Sequence, residues 1–381
     1  MNQWAKKYLW NPIVHSARPR FCENILERAQ QEKWATRKID EPCAFDLRIP
    51  PELAVNEKDR ELFEGQRHWE FPARYLACLP RASALGGLVK LSSGEFLNES
   101  DWRMRDFLAS DISRSRYVRH QLDLEGDNYY LDLLFSGNYA HWLADELPRL
   151  TSALPHLPAA TRFITSDPIQ EFKSKSLAAL GISTDRLVPV KGFYQIRCER
   201  LWYATPANDM VWNVPVLQQL RGSLLEVYAR GNGAVSERLF VSRNHARLKR
   251  LANEDELLPL IKSYGFRIIN LEQMPFAEQV KYFSSAKVIL GAHGAGFTNL
   301  LFSTKAKFLE LQDNLFAPRL WYWKWASMLG HDYCTMTGPV TKSKDWLDTD
   351  FTIHPDSLKE FLEDNLSSQG ESPKKRWWVS R

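Results

Sequence analysis

The hydrophobic pattern changes period along the chain, and each change marks an element. Over residues 128–135 (NYYLDLLF) apolar positions are nearly continuous, which predicts a short strand. Gly137-Asn138 breaks it. Over 141–154, Trp142, Leu143, Leu147, Leu150 and Leu154 share one broad face, which predicts a helix. Past Pro158 the pattern alternates. It predicts a strand over 162–165, a helix over 168–180, and strands over 186–190 and 200–204. A helix over 215–230 follows, and Gly231-Asn232-Gly233 is the clearest turn signal in the chain. The second half alternates more cleanly. Strands are expected over 238–242, 266–271, 287–291, 307–311 and 332–336. Helices are expected between them, over 254–264 with Asn253 as N-cap, 276–285, 295–302 and 318–329. Before Tyr75 the texture is polar and mixed, with a helix over 21–34 and a turn at Ile49-Pro50-Pro51. Residues 85–97 read as a hairpin around Ser-Ser-Gly.

Repeated strand–helix alternation argues for parallel βαβ units and an α/β fold. The second half has the doubly wound, Rossmann-like pattern, and the first half is a less regular version of it. The expected architecture is therefore two Rossmann-like lobes facing a cleft. Four segments are expected: an extension over 1–74 packed on the first lobe, the first lobe over 75–208, the second lobe over 209–340, and a C-terminal helix and basic tail over 341–381.

Composition narrows the class. The 381 residues are 44% hydrophobic and 25% charged, which is ordinary for a globular protein and argues against disorder or a long coiled coil. A net charge of +4 does not mark a dedicated nucleic-acid binder. No apolar stretch approaches the ~20 residues of a membrane span. The opening residues, MNQWAKKYLWNPIV, lack the apolar core and cleavage site of a signal peptide. Five scattered cysteines without a CxxC suit a reducing compartment, with no disulfide framework and no structural zinc site. The expected location is the cytoplasm, including the inner face of the membrane. The 14 tryptophans are spread through the chain, mostly as packing, with a minority available to stack on a sugar ring.

Three segments carry candidate chemistry. In 287–302 (KVILGAHGAGFTNLLF) an apolar strand runs into Gly291, His293, Gly294, Ala295 and Gly296, and a helix follows at once. Glycines there let the backbone approach a ligand, and the helix start offers N–H donors to a phosphate. Thr298 and Asn299 could add side-chain hydrogen bonds. The plain alternative is a tight turn whose glycines serve packing alone. The spacing is neither GxGxxG nor a P-loop. In 241–256 Arg243, Arg247, Lys249 and Arg250 follow a strand end, where open α/β sheets place ligands. Arginine suits forked phosphate contacts; a solvated basic loop is the alternative. In 136–149 (SGNYAHWLADELPR) His141 and Asp145 lie four apart on one helix face. They suit an acid–base pair, or a capped helix start with no chemistry. Glu310, at a strand end, could accept ribose hydroxyls, and Asp313 is a weaker candidate of the same kind. The tail 374–381 (KKRWWVSR) suits contact with an anionic membrane surface, or disorder.

Together these segments resemble glycosyltransferase family 61. That family includes plant xylan-decorating transferases, animal O-linked N-acetylglucosaminyltransferases and bacterial capsule enzymes. The residues carrying the resemblance are 137–142 (GNYAHW) through Asp145, Val241-Ser242-Arg243 with Arg250 and 253–256 (NEDE), 291–299 (GAHGAGFTN), and 308–311 (FLEL). The resemblance implies a GT-B architecture with inverting, metal-independent transfer from a nucleotide sugar, a UDP-sugar in the first instance. No cofactor and no metal are expected. It places Ser242, Arg243, Arg250, Gly294, Ala295, Gly296, Thr298 and Asn299 around the donor, with Arg243 on its diphosphate. His293 would stand beside the donor and Glu310 would hold its ribose. Asp145, His141 and His293 are the candidate catalytic groups, and Asn138 and Trp142 would face the acceptor. A glycan or lipid-linked glycan of the cell envelope is the implied acceptor. An inactive nucleotide- or sugar-binding scaffold is one alternative. A Rossmann-type dehydrogenase is the other, and it would need a GxGxxG that the chain lacks.

Overall fold

The computed structural model describes residues 20–49, 57–85, 87–97, 121–132, 136–191, 195–206, 212–230, 236–246, 248, 251–317, 319–344 and 348–366. Contacts divide the chain into two units, one running to Cys43 and from Pro72 to Asn208, the other comprising Ala44–Phe71 and everything from Asp209. The segment 1–74 is thus shared between the units, with Ala44–Phe71 contributing to the second.

The second unit is built on five parallel strands. Their order is Arg267–Ile269, Arg238–Val241, Val288–Ala292, Lys307–Asp313 and Asp332–Gly338. In chain order that is 2-1-3-4-5, a doubly wound sheet. Strands covered on both faces must be apolar almost throughout, and Leu239, Phe240, Ile289, Leu290, Phe308 and Leu309 are all fully buried. Connecting helices span Glu254–Ser263, Phe276–Ser285 and Leu320–Leu329. The first carries Glu254, Asp255 and Glu256 in its opening turn, where the positive end of the helix favours carboxylates. The second buries Phe276, Val280 and Phe283, a single stripe at helical spacing. The third ends on Gly330 at φ 81°, a left-handed cap that glycine adopts without strain. The helix expected over 295–302 is a 3₁₀ helix, Ala295–Phe302. Its last six residues are buried, and packing against the helices Val214–Tyr228, Phe276–Ser285 and Leu320–Leu329 sustains a form that rarely runs so long.

The first unit holds a ten-stranded mixed sheet. Its core is parallel: Gln195–Ala204, Gln121–Tyr130, Arg162–Ser166 and Leu187–Val190 lie side by side. Antiparallel strands extend it, with Arg74–Pro80 and Ser83–Leu85 both pairing along Gln195–Ala204. The expected hairpin is present, Leu88–Lys90 turning back to Phe96–Leu97. The helical run after the strand Gln121–Tyr130 has four parts: an α turn at Tyr139–His141, a π-helical stretch at Trp142–Glu146, an α-helix at Leu147–Ala153 and a 3₁₀ turn at Leu154–His156. Pro148 explains the widening. It has no N–H to give, and its ring would strike the carbonyl one turn back in a regular helix. The Leu147 N–H reaches instead to the Trp142 carbonyl, opening the turn.

Among the described residues no helix is long and apolar enough to cross a membrane. The turn at 231–233, Arg247, Lys249, Arg250 and the tail 374–381 lie outside the described residues.

Candidate donor and acid–base sites

A 2-1-3-4-5 sheet reverses direction between its first and third strands, and ligands bind beyond the carboxyl ends there. In the second unit these ends are Val241 and Ala292, and Arg243 and the glycine-rich turn follow them directly. The loop after Val241 is held by Glu254. That carboxylate is buried and accepts hydrogen bonds from Ser242 Oγ at 2.5 Å and from the Arg243 N–H at 3.1 Å. Burial pushes the Glu254 carboxyl up, and these two hydrogen bonds pull it partly back. Arg243 Nη2 donates to the Leu248 carbonyl at 2.7 Å. Burial lowers the Arg243 guanidinium, and Glu272, Tyr322 and Glu254 counteract it by charge.

The three glycines of the turn have separate reasons. A Cβ on Gly291 would stand 2.7 Å from the Val241 carbonyl oxygen, and one on Gly296 would stand 2.5 Å from Leu271 Cδ1. Both are packing glycines. A Cβ on Gly294 would fall 1.9 Å from Arg243 Nη1 and 2.5 Å from its Cζ. The backbone at Gly294 is extended, φ 175°, so conformation does not demand glycine there. A side chain there would push the Arg243 guanidinium aside.

His293 stands on the same turn. Its Nδ1 lies 2.6 Å from Glu310 Oε1. The other Glu310 oxygen accepts from Tyr333 Oη at 2.6 Å and from Gln312 Nε2 at 2.9 Å. The imidazole edge meets the Tyr322 ring at 5.1 Å between centroids. Burial and the neighbouring Glu310 push the Tyr333 phenol well above its ordinary value, so it remains a donor.

Several expected contacts are corrected by burial. Glu310 is 0% exposed with both oxygens engaged, so it backs His293 and does not reach out to a ribose. Thr298 and Asn299 are fully buried; Asn299 Nδ2 donates to Gln279 at 2.9 Å and Thr298 supports the Trp325 indole through its carbonyl. Ser242 is spent on Glu254. Arg243, His293, Ala295 and Gly296 retain exposure at the turn. Asp313 pairs with Arg319.

In the first unit His141 Nδ1 and Asp145 Oδ2 are 2.6 Å apart, with the side chains 25% and 46% exposed. The shared face expected from their spacing is present. Asn138 caps the helix, accepting from the Ala140 N–H at 2.9 Å. Trp142 is fully buried, donates to Ser176 Oγ at 2.9 Å and lies under Lys173 Nζ at 4.9 Å. It is a core residue and cannot stack on an acceptor sugar. The helix is further tied down by Arg149, which donates to Glu146 at 2.6 Å and to the Tyr130 carbonyl at 2.9 Å.

Sequence reasoning passed over Glu254 as a site residue, along with Tyr322, Tyr333 and Gln312. Ser242 and Glu254 are separated by a loop and a helix start, and no spacing rule joins them. Gln312, two residues past Glu310 on one strand, shares its face and was the one detectable signal. Among the described residues, no three His, Cys, Asp or Glu side chains gather as a metal site.

The family model described as Glycosyltransferase 61 matches residues 139–308. The match contains His141, Asp145, Arg243, His293 and the glycine turn, and ends just before Glu310. A comparison with curated proteins found no match.

Proposed function

We propose that the chain is a glycosyltransferase of family 61, on the match over residues 139–308, and that it moves a sugar from a nucleotide-sugar donor, a UDP-sugar, to an envelope glycan with inversion and without metal. The observation that carries the reading is Arg243 laid on Gly294 at the switch point of the doubly wound sheet. A fork of N–H donors held over bare backbone suits a diphosphate. Transfer builds negative charge on that diphosphate as the glycosidic bond breaks. A preorganised guanidinium stabilises that charge without reorganisation. The backbone N–H groups of Ala295 and Gly296 add donors beside it.

Inverting transfer also needs a base for the acceptor hydroxyl. The His141–Asp145 pair of the first unit is our candidate: Asp145 takes the proton, and His141 orients it. The GT-B class is proposed on the doubly wound order of the second unit and the parallel core of the first.

The test is donor hydrolysis. Purified protein is incubated with UDP-, GDP-, CMP- and dTDP-sugars, with and without EDTA, and released nucleotide is read. Release from one donor, indifferent to EDTA and lost in Arg243→Ala, is expected. Release that EDTA abolishes ends the metal-independent reading. No release, together with no thermal stabilisation by any nucleotide, ends the donor assignment.

A further inference from the structure

A histidine offers a lone pair on one ring nitrogen and a proton on the other, and the partner of the first nitrogen decides which is which. At His293 the partner is fixed unusually firmly. Glu310 sits on the strand Lys307–Asp313, fully buried, with Oε1 on His293 Nδ1. Its Oε2 takes two donors. Tyr333 comes from the adjacent strand Asp332–Gly338, and its hydroxyl also accepts from Gln312 Nε2 at 3.0 Å. Gln312 reaches Oε2 from the same strand as Glu310. The Gln312 amide cannot flip without loss, because its Oε1 accepts from the Arg319 N–H at 2.8 Å. The Tyr333 ring is itself held against Phe308 at 5.6 Å.

Two donors on Oε2 keep the Glu310 carboxylate an acceptor. The proton in the 2.6 Å contact then belongs to Nδ1 of His293. We infer that Tyr333 and Gln312 are positioning residues for His293: by pinning Glu310 they hold the imidazole as its Nδ1–H tautomer, so that Nε2 is the lone-pair nitrogen and accepts from a substrate hydroxyl. The substrate hydroxyl in this inference rests on the transferase reading above. The tautomer does not.

The logic is that of an oriented imidazole, whose tautomer is selected by the carboxylate its Nδ1–H donates to. Here the carboxylate is in turn selected by a phenol and an amide. Loss of the phenol leaves Oε2 with one donor in a buried site. Glu310 can then turn, and the Nδ1 contact loosens.

The experiment is nitrogen NMR of the full chain carrying ¹⁵N-histidine. The nine histidines give overlapping signals, and a His293→Gln spectrum identifies the wanted pair by difference. In the wild type, at a pH where His293 is neutral, Nδ1 should show the protonated shift and Nε2 the unprotonated one. In Tyr333→Phe, which keeps the ring, the two shifts should move toward each other as the tautomers mix. Gln312→Met serves as the second variant should Tyr333→Phe fail to fold. A wild-type Nε2–H tautomer overturns the inference, as does an unchanged tautomer in a folded variant. Kinetics with the donor found above give the second readout: kcat falling roughly tenfold at constant donor KM is expected for a loosened hydrogen bond that counts in the transition state. A pure packing role would lower thermal stability and leave both the tautomer and the kcat-to-KM split alone. A correct tautomer in a protein that hydrolyses no nucleotide sugar would sustain the relay and sink the transferase assignment.

Discussion

Among the described residues two histidine–carboxylate pairs share the same separation, 2.6 Å, and they are otherwise opposites. In the first unit His141 and Asp145 meet on one turn of helix, half open to water. In the second, His293 is 13% exposed and Glu310 is sealed, and their contact joins two neighbouring strands through further donors. Distance alone would rate them equal. The surroundings separate them. Water screens the first pair, so it adds little to stability and can exchange protons readily. The second pair is part of the sheet's interior, where a lost partner leaves a desolvated group unpaired. One pair is disposable to the fold, and the other is woven into it.

This contrast is open to direct attack. The largest effect should come from Asp145→Asn. If the exposed pair is the base, turnover falls by roughly 10²–10⁴-fold, while the melting temperature and nucleotide affinity hold. An active variant would move the base elsewhere, to His141 or His293. Next is Gly294→Ala. The backbone tolerates alanine, so the protein should fold, but the new methyl displaces the Arg243 guanidinium. A drop on the order of 10²–10³-fold in kcat/KM is expected, matching Arg243→Ala. Wild-type kinetics in Gly294→Ala would remove Arg243 from the donor site.

A third histidine calibrates the buried extreme. His331 is 1% exposed; its Nδ1 accepts from the Ala306 N–H and its Nε2 donates to the Leu300 carbonyl. Burial lowers it to about 4 from an ordinary 6.5. The unfolded chain therefore takes up a proton first as pH falls. Stability should be complete above pH 6.5 and decline down to about pH 4, by roughly 3 kcal/mol in total. Urea melts across that range measure it, and the pH slope should flatten in His331→Gln. The smallest effect is Glu310→Gln. It should lower stability by about 1–3 kcal/mol through the partners it disturbs. Asp145→Asn should show no such loss, and equal losses in the two variants would erase the distinction between the pairs.

The sequence disclosed the second unit well because its strands are buried on both faces and its helices carry clear stripes. Lys287 to Gly291 and Phe276 to Phe283 each announce their period. The first unit is harder to read. Phe21–Cys22 and Phe96–Leu97 are two-residue strands, too short for any period to register, and their place in the sheet comes from long-range pairing. The π turn at Trp142–Glu146 was visible only as a proline in a helical pattern. Residue type and spacing singled out Arg243, Gly294, His293, His141 and Asp145 as candidates. They could not tell a reaching side chain from a buried one. Glu310 read as a ligand contact from its place at a strand end, and Thr298 and Asn299 from theirs in the first turn of a helix; in the structure all three are fully buried.

The contact between Arg243 and Gly294 has a consequence for how this site can change over generations. The two positions are about fifty residues apart in the chain yet occupy one volume, since the space a side chain would need at 294 is already filled from 243. A side chain can enter position 294 only when the Arg243 guanidinium moves away. A lineage that trades the guanidinium for a shorter group opens position 294 to alanine or serine, and a lineage that keeps it holds glycine there. The pair should therefore covary as a unit, and directed evolution of donor choice would search this corner most efficiently by randomising both codons in the same library.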